Sequence, residues 1–239
     1  MDKEIELSRV DGMEILKETP ISGIRRIIAS KMEESLRKSP QATVTAKADM
    51  SSLIALKKKY NEQGFEVTFT DMFVKISESA LRLVPEVNAS LQNGKIRQYK
   101  SINIGVAVGT EKALFVPVIR NVQDKSLLEV SRELKNLIQK IKEQKITAED
   151  FSCGTFTISN MGMFKVDIMT PIINIPQAAI LSIGATRKEL VVEDDDTIRI
   201  RPMTTLSLTL DHAVLDGYPV ARFLEAFLCI MENPNDYFS

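Results

Sequence analysis

A chain of 239 residues is long enough for one large α/β domain or two small ones, and no stretch after Ser22 has the composition of a flexible linker. Lysine and arginine number 31 against 32 aspartates and glutamates, a net charge of −1, so the basic field needed to bind a phosphate backbone is missing and nucleic acid is not expected as a partner. Cys153 and Cys229 have neither metal-ligand spacing nor the density of a disulfide scaffold, and the most apolar window, 172–185, is interrupted by Asn174 and Pro176. With a charged N-terminal stretch, this predicts a soluble, cytoplasmic protein without a metal site or a membrane span.

Residues 1–20 mix charge with scattered apolar positions up to Pro20 and are read as an arm, leaving 21–239 as one domain. Ser22 is placed to cap a helix in which Ile24, Ile27, Ile28 and Met32 recur at helical spacing beside Arg25, Arg26 and Lys31. Residues 43–49 alternate as a strand, after which Ser51 or Ser52 opens a lysine-rich helix to about position 62. A helix over 70–84 stops at Pro85. Strands are expected at 102–108 and 114–119, β-branched and flanked by Gly105, Gly109 and Pro117. The clearest amphipathic helix covers 126–144, with Leu127, Leu128, Val130, Leu134, Leu137, Ile138 and Ile141 on one side. Further β-type segments lie at 154–159, 178–183 and 199–210, and a helix over 218–231 closes the chain. No internal repeat is visible. This mixture predicts one mixed sheet with helices packed on it rather than a regular βαβ series.

His212 is the only histidine, and it follows the apolar run Leu208-Thr209-Leu210 within Asp211-His212-Ala213-Val214-Leu215-Asp216-Gly217. Acid–base chemistry by an imidazole therefore has one candidate. A strand-end histidine beside an ordinary Asp-Gly turn explains the same stretch, and these residues alone leave both readings open.

A second segment, Gly154-Thr155-Phe156-Thr157-Ile158-Ser159-Asn160-Met161-Gly162, precedes it, with Ser159 and His212 separated by 53 positions (212 − 159). Other landmarks are Ser22-Gly23-Ile24-Arg25-Arg26-Ile27-Ile28-Ala29, Asn103-Ile104-Gly105-Val106-Ala107-Val108, Val116-Pro117-Val118-Ile119-Arg120-Asn121 and Pro171-Ile172-Ile173-Asn174. In these motifs, their order and their spacing, the chain from Ser22 onward resembles the catalytic domain of the dihydrolipoyl acyltransferases of 2-oxo acid dehydrogenase complexes. It also resembles their relative, chloramphenicol acetyltransferase.

The resemblance implies a two-layer α/β sandwich with a mixed β-sheet. It implies trimers with the site at the subunit interface, and further assembly into cubic or dodecahedral cores. It implies acyl transfer, acetyl foremost, between a dihydrolipoyl-lysine and coenzyme A. By the same resemblance His212 serves as base and then acid, and Ser159 donates to the oxyanion. Asp216 orients the ring or joins an ion pair with Arg25 or Arg26, and Ser159, Asn160 and Gly184 line the coenzyme A site. Plainer roles are a locally bonded strand-end serine for Ser159 and a strand bend for Gly184. Gly217 is expected to permit a tight turn.

Three departures stand out. Ala213 follows the histidine where most lipoyl acyltransferases carry arginine, Met163-Phe164-Lys165 replaces a glycine pair, and Gly109 stands where many relatives have aspartate. Glu111-Lys112-Ala113 falls inside the catalytic segment and is not read as a lipoylation site, and no lipoyl or subunit-binding domain is visible. Either the chain is an excised catalytic core, or it is a free-standing acyltransferase whose lipoyl group arrives in trans, from the lipoyl domain or other components of a complex. The alternatives are a free-standing coenzyme A-dependent acetyltransferase acting on a small hydroxyl substrate, or a non-catalytic scaffold.

Overall fold

The computed structural model describes residues 9, 10, 12–110 and 113–238. Arg9–Val10 (β1) and Met13–Glu14 (β2) pair as a small hairpin inside the expected arm. Helix α1, Gly23–Lys38, has Ser22 at its N-cap position but no side-chain capping bond, and it buries only Ser35. Strand β3, Gln41–Asp49, leads into α2, Ser51–Glu62. Neither serine hydroxyl caps α2; instead the Asp49 carboxylate accepts the Ser51 N–H at 2.7 Å, because it reaches the first free amide from the preceding strand. Helix α3, Phe69–Leu83, opens on a reciprocal cap in which Thr68 and Asp71 each bond the other's backbone amide.

A hairpin the sequence reading missed follows, Ala89–Gln92 (β4) against Lys95–Gln98 (β5). Its Asn93-Gly94 turn has both φ angles positive, 53° and 69°, as a two-residue hairpin requires. The two strands expected over 102–108 and 114–119 are each split. Ile104–Val106 (β6) and Val118–Ile119 (β9) join the main sheet, whereas Val108–Gly109 (β7) and Leu114–Phe115 (β8) form a separate hairpin. Pro117 lies at one break because it has no N–H for the ladder, although its carbonyl still accepts the Val106 N–H at 2.9 Å. Helix α4, Leu127–Lys142, carries a second reciprocal cap between Ser126 and Glu129. Phe156–Asn160 (β10), Ala179–Ile183 (β11), Arg187–Val192 (β12), Ile198–Asp211 (β13) and Gly217–Glu232 (α5) complete the chain.

The main sheet runs β12-β13-β11-β10-β6-β9, with β3 also paired to the long β13. Strand β10 is parallel to both neighbours and the other pairs are antiparallel. Side chains alternate between the faces of a strand. Phe156, Ile158, Leu181, Ile183, Leu206, Leu208 and Leu210 accordingly form the apolar core under α3 and α5, where Phe223 meets Phe156 at 5.5 Å between ring centroids. Truncating such a phenylalanine costs about 3–5 kcal/mol. The intervening residues, Thr157, Ser159, Ser182, Thr205, Ser207 and Thr209, are buried on the opposite, hydroxyl-rich face.

Parallel strands need a long crossover. Between β10 and β11 it is an irregular segment, not a helix, over 161–178. It is anchored where Thr157 Oγ1 donates to Gln177 Oε1 (2.6 Å), Ser35 Oγ to the Ile173 carbonyl (2.7 Å) and the Ile173 N–H to Gln41 Oε1 (3.1 Å). Among the described residues, no helix is long and apolar enough to cross a membrane.

Candidate active site

Strand β13 ends at Asp211, whose carboxylate is buried and organises the next turn. Its Oδ1 accepts the Ala213 N–H at 2.9 Å, and its backbone carbonyl accepts the N–H groups of Val214 and Leu215, each at 2.9 Å. The His212 N–H donates to the Pro40 carbonyl at 2.9 Å, tying the turn to the end of α1. This aspartate-centred turn presents the imidazole with 52% of its side chain exposed. Sequence reasoning treated Asp211 only as part of a motif; an aspartate two residues before the amide it accepts was the available signal. Gly217 has ordinary φ and open space where a Cβ would lie, so the sharp turn expected of it belongs to Asp211 instead.

Asp216 Oδ1 lies 3.8 Å from His212 Nδ1, an ion pair if the ring is protonated but too long for a hydrogen bond. Among the described residues, no ion pair joins Asp216 to Arg25 or Arg26; the Arg26 guanidinium donates to the Ile21 carbonyl instead (3.0 and 3.2 Å).

Ser159, Asn160 and Gly184 meet at the other end of the sheet. Ser159 is 8% exposed, and among the described residues no hydrogen bond occupies its hydroxyl, so it is not the locally bonded serine of the plainer reading. Asn160 is held on both sides: Nδ2 donates to Thr70 Oγ1 and Oδ1 accepts the Gly162 N–H, each at 2.9 Å. The Met161 N–H donates to the Ile183 carbonyl at 2.8 Å, bringing the start of the crossover beside Gly184. A Cβ at Gly184 would collide with the carbonyl of Asp167, so this glycine serves a close backbone approach and not a bend alone.

The two groups do not meet within one chain. Register places Ser159 beside Ser182, and Ser182 beside Ser207, with His212 five residues further along (212 − 207). At strand dimensions the separation is about 17 Å along the sheet and about 10 Å across it, roughly 20 Å in all, beyond the reach of two side chains. A single site containing both must draw them from two copies. Among the described residues, no group of three or more His, Cys, Asp and Glu side chains is placed to hold a metal ion. Lys112 lies outside the described residues.

This mixed sheet, with helices on its apolar face and an irregular crossover anchored to the other, shares its fold with chloramphenicol acetyltransferase. That enzyme superposes with a TM-score of 0.57 at 13% identity, over 84% of this chain and 94% of its own. Within that fold, the chain belongs to the 2-oxoacid dehydrogenases acyltransferase (catalytic domain) family, whose model matches residues 14–239. It is 39% identical, over 91% of its length and 52% of the relative's, to the lipoamide acyltransferase component of the branched-chain alpha-keto acid dehydrogenase complex of Bacillus subtilis. It is 40% identical, over 91% and 46%, to the mitochondrial dihydrolipoyllysine-residue acetyltransferase component of the pyruvate dehydrogenase complex of Schizosaccharomyces pombe. The chain thus spans about half the length of these curated relatives. Two solved structures each superpose with a TM-score of 0.89 at 30% identity, covering 98% of this chain and 99% of theirs. One is the cubic core of the pyruvate dehydrogenase multienzyme complex. The other comes from work on the role of a serine, a histidine and an asparagine in the catalytic mechanism of Azotobacter vinelandii dihydrolipoamide acetyltransferase.

Proposed function

We propose that this chain moves an acyl group, acetyl foremost, between the thiol of a dihydrolipoyl-lysine and coenzyme A, as part of a 2-oxo acid dehydrogenase complex in the cytoplasm. The observation that carries the reading is the placement of an exposed imidazole and an unbonded serine hydroxyl at opposite ends of one sheet in a chain of an acyltransferase family. Two copies packed side by side would complete a site that neither holds alone. The catalytic unit is 21–239, with 1–20 as an arm, and its assembly is a trimer that builds a larger cubic or dodecahedral core.

In this reading His212 of one copy takes the proton from the attacking thiol as its sulfur bonds to the thioester carbonyl carbon. The carbonyl oxygen takes up the negative charge and accepts a hydrogen bond from the Ser159 hydroxyl of the neighbour. Collapse of the tetrahedral species breaks the other carbon–sulfur bond, and the imidazolium returns its proton to the leaving thiolate. Two thiols exchange one acyl group, so one histidine suffices as base and then acid. Asp216, 3.8 Å from the ring Nδ1, orients the imidazole; in the Azotobacter enzyme the asparagine also lies four positions after the histidine. Ser159, Asn160 and Gly184, which lie at the ends of the neighbouring strands β10 and β11, form the coenzyme A side. The lipoyl group is presented by a lipoyl domain.

Ala213 beside the histidine favours one second reading, transfer to a small hydroxyl acceptor by a free-standing enzyme. Acetyl-CoA offered with dihydrolipoamide or with chloramphenicol, and the acetylated acceptor followed by mass, decides the matter. Transfer to dihydrolipoamide supports the proposal, transfer only to the hydroxyl compound supports the alternative, and transfer to neither leaves a scaffold.

A further inference from the structure

We infer that Arg187 is a positioning residue that sets acyl-group selectivity by pinning the segment 161–168, an inference resting on the acyl-transfer reading above. Directly after Ser159 and Asn160 this segment exposes three large apolar side chains, Met163 at 82%, Phe164 at 55% and Ile168 at 58%. A short turn starts it, with the Phe164 N–H on the Met161 carbonyl at 2.9 Å and the Gly162 N–H on Asn160 Oδ1 at 2.9 Å. Its far side is fixed to the β11–β12 junction. The Ala185 N–H donates to the Val166 carbonyl at 2.8 Å, Arg187 Nε donates to the Asp167 carboxylate, and Arg187 Nη2 reaches the Lys165 carbonyl at 3.4 Å.

Gly184 makes this docking possible. The backbone of Asp167 passes through the space a Cβ there would fill, so the segment lies against the end of β11 and cannot be moved inward. Arg187 begins β12, whose six residues pair with the long β13 through Met203 to Ile198, so the guanidinium projects from a paired strand. Met163 and Phe164 are therefore placed between two fixed points, Asn160 and Arg187, beside the serine assigned to the oxyanion. The proposed acyl group sits on this side, and the two side chains limit its width.

Both partners of the Arg187–Asp167 pair are about half exposed, at 45% and 53%, and such pairs contribute little to global stability. Its effect is on where the segment rests. Lysine can keep the ion pair but not the second bond from a planar fork, which makes it a graded test.

The experiment compares assembled wild-type protein, Arg187→Met and Arg187→Lys, reading kcat/KM with acetyl-CoA and isobutyryl-CoA together with amide hydrogen exchange. Discrimination by one or two methylenes is worth about 10–200-fold, so Arg187→Met should lower the acetyl over isobutyryl ratio about tenfold, with Arg187→Lys between it and wild type. Exchange should quicken at Ala185 and over 161–168, with the melting temperature nearly unchanged. An unchanged ratio in an active, assembled Arg187→Met protein, or an equal loss with both acyl groups, overturns the role of Arg187 alone. A wild-type protein that transfers no acyl group refutes the reaction itself.

Discussion

Mixing two inactive variants tests the shared site. Register separates Ser159 and His212 by roughly 20 Å in one chain, so His212→Ala removes the imidazole from one side of each interface and Ser159→Ala the hydroxyl from the other. In a ring of equal chains mixed one to one, half the interfaces receive their histidine side from the Ser159→Ala chain. Half of those receive their serine side from the His212→Ala chain, so about one quarter of the sites regain both groups. The variants should be exchanged by dilution in mild denaturant and refolding, with exchange demonstrated by the mass of mixed assemblies carrying a tag on one chain. Acetyl transfer to dihydrolipoamide should then recover to about one quarter of wild type, against residual rates in each parent about 10²-fold or more below it. Mixed assemblies whose activity stays at the parental level would refute the argument, since a site built within one chain gains nothing from exchange.

Ser159→Ala should lower kcat by roughly 10²-fold with little change in the KM for coenzyme A, as loss of one oxyanion donor does; a change in KM alone would make it a ground-state contact. The Asp150 carboxyl is held at about 2 against an ordinary 3.8, first by the Lys140 ammonium at 2.8 Å and then by the Thr147 amide at 2.9 Å. A lowered carboxyl stabilises the fold above the unfolded value and loses that contribution as pH falls from about 4 towards 2. Asp150→Asn should therefore cost about 0.5–1 kcal/mol near neutrality once solvent screening is allowed for, with a gap in melting temperature that narrows as pH falls through 2; a gap of constant size across that range would contradict this. Gly184→Ala should cost about 1–3 kcal/mol by displacing the Asp167 backbone, seen as a lower melting temperature, and an unshifted melt would show that the segment yields freely.

The helices were legible because their periods and caps agree. The expected 126–144 and 70–84 became Leu127–Lys142 and Phe69–Leu83, with Ser126-x-x-Glu129 and Thr68-x-x-Asp71 closing their first turns. The Asn93-Gly94 turn carries as clear a signal, between strands of only four residues each. Strand β12 escaped because its exposed Leu190 and Val192 face no core of their own chain, and 161–178 has no period because it crosses a sheet without forming a helix or strand. Motif order pointed to Ser159, Asn160, Gly184, His212 and Asp216. That His212 and Ser159 lie far apart in one chain follows from the register of β10, β11 and β13, which local sequence does not encode. The Asp167 contact at Gly184 is likewise set by tertiary packing.

If His212 carries protons between two thiols, its loss must slow the formation of S-acetyldihydrolipoamide from acetyl-CoA, followed by mass in wild-type and His212→Ala protein of equal assembly mass. The sequence holds no second histidine to take over. Wild type should form product, and the variant should form it about 10²–10⁴-fold more slowly. Equal rates in the two proteins, or no thioester from wild type, would contradict this role of His212.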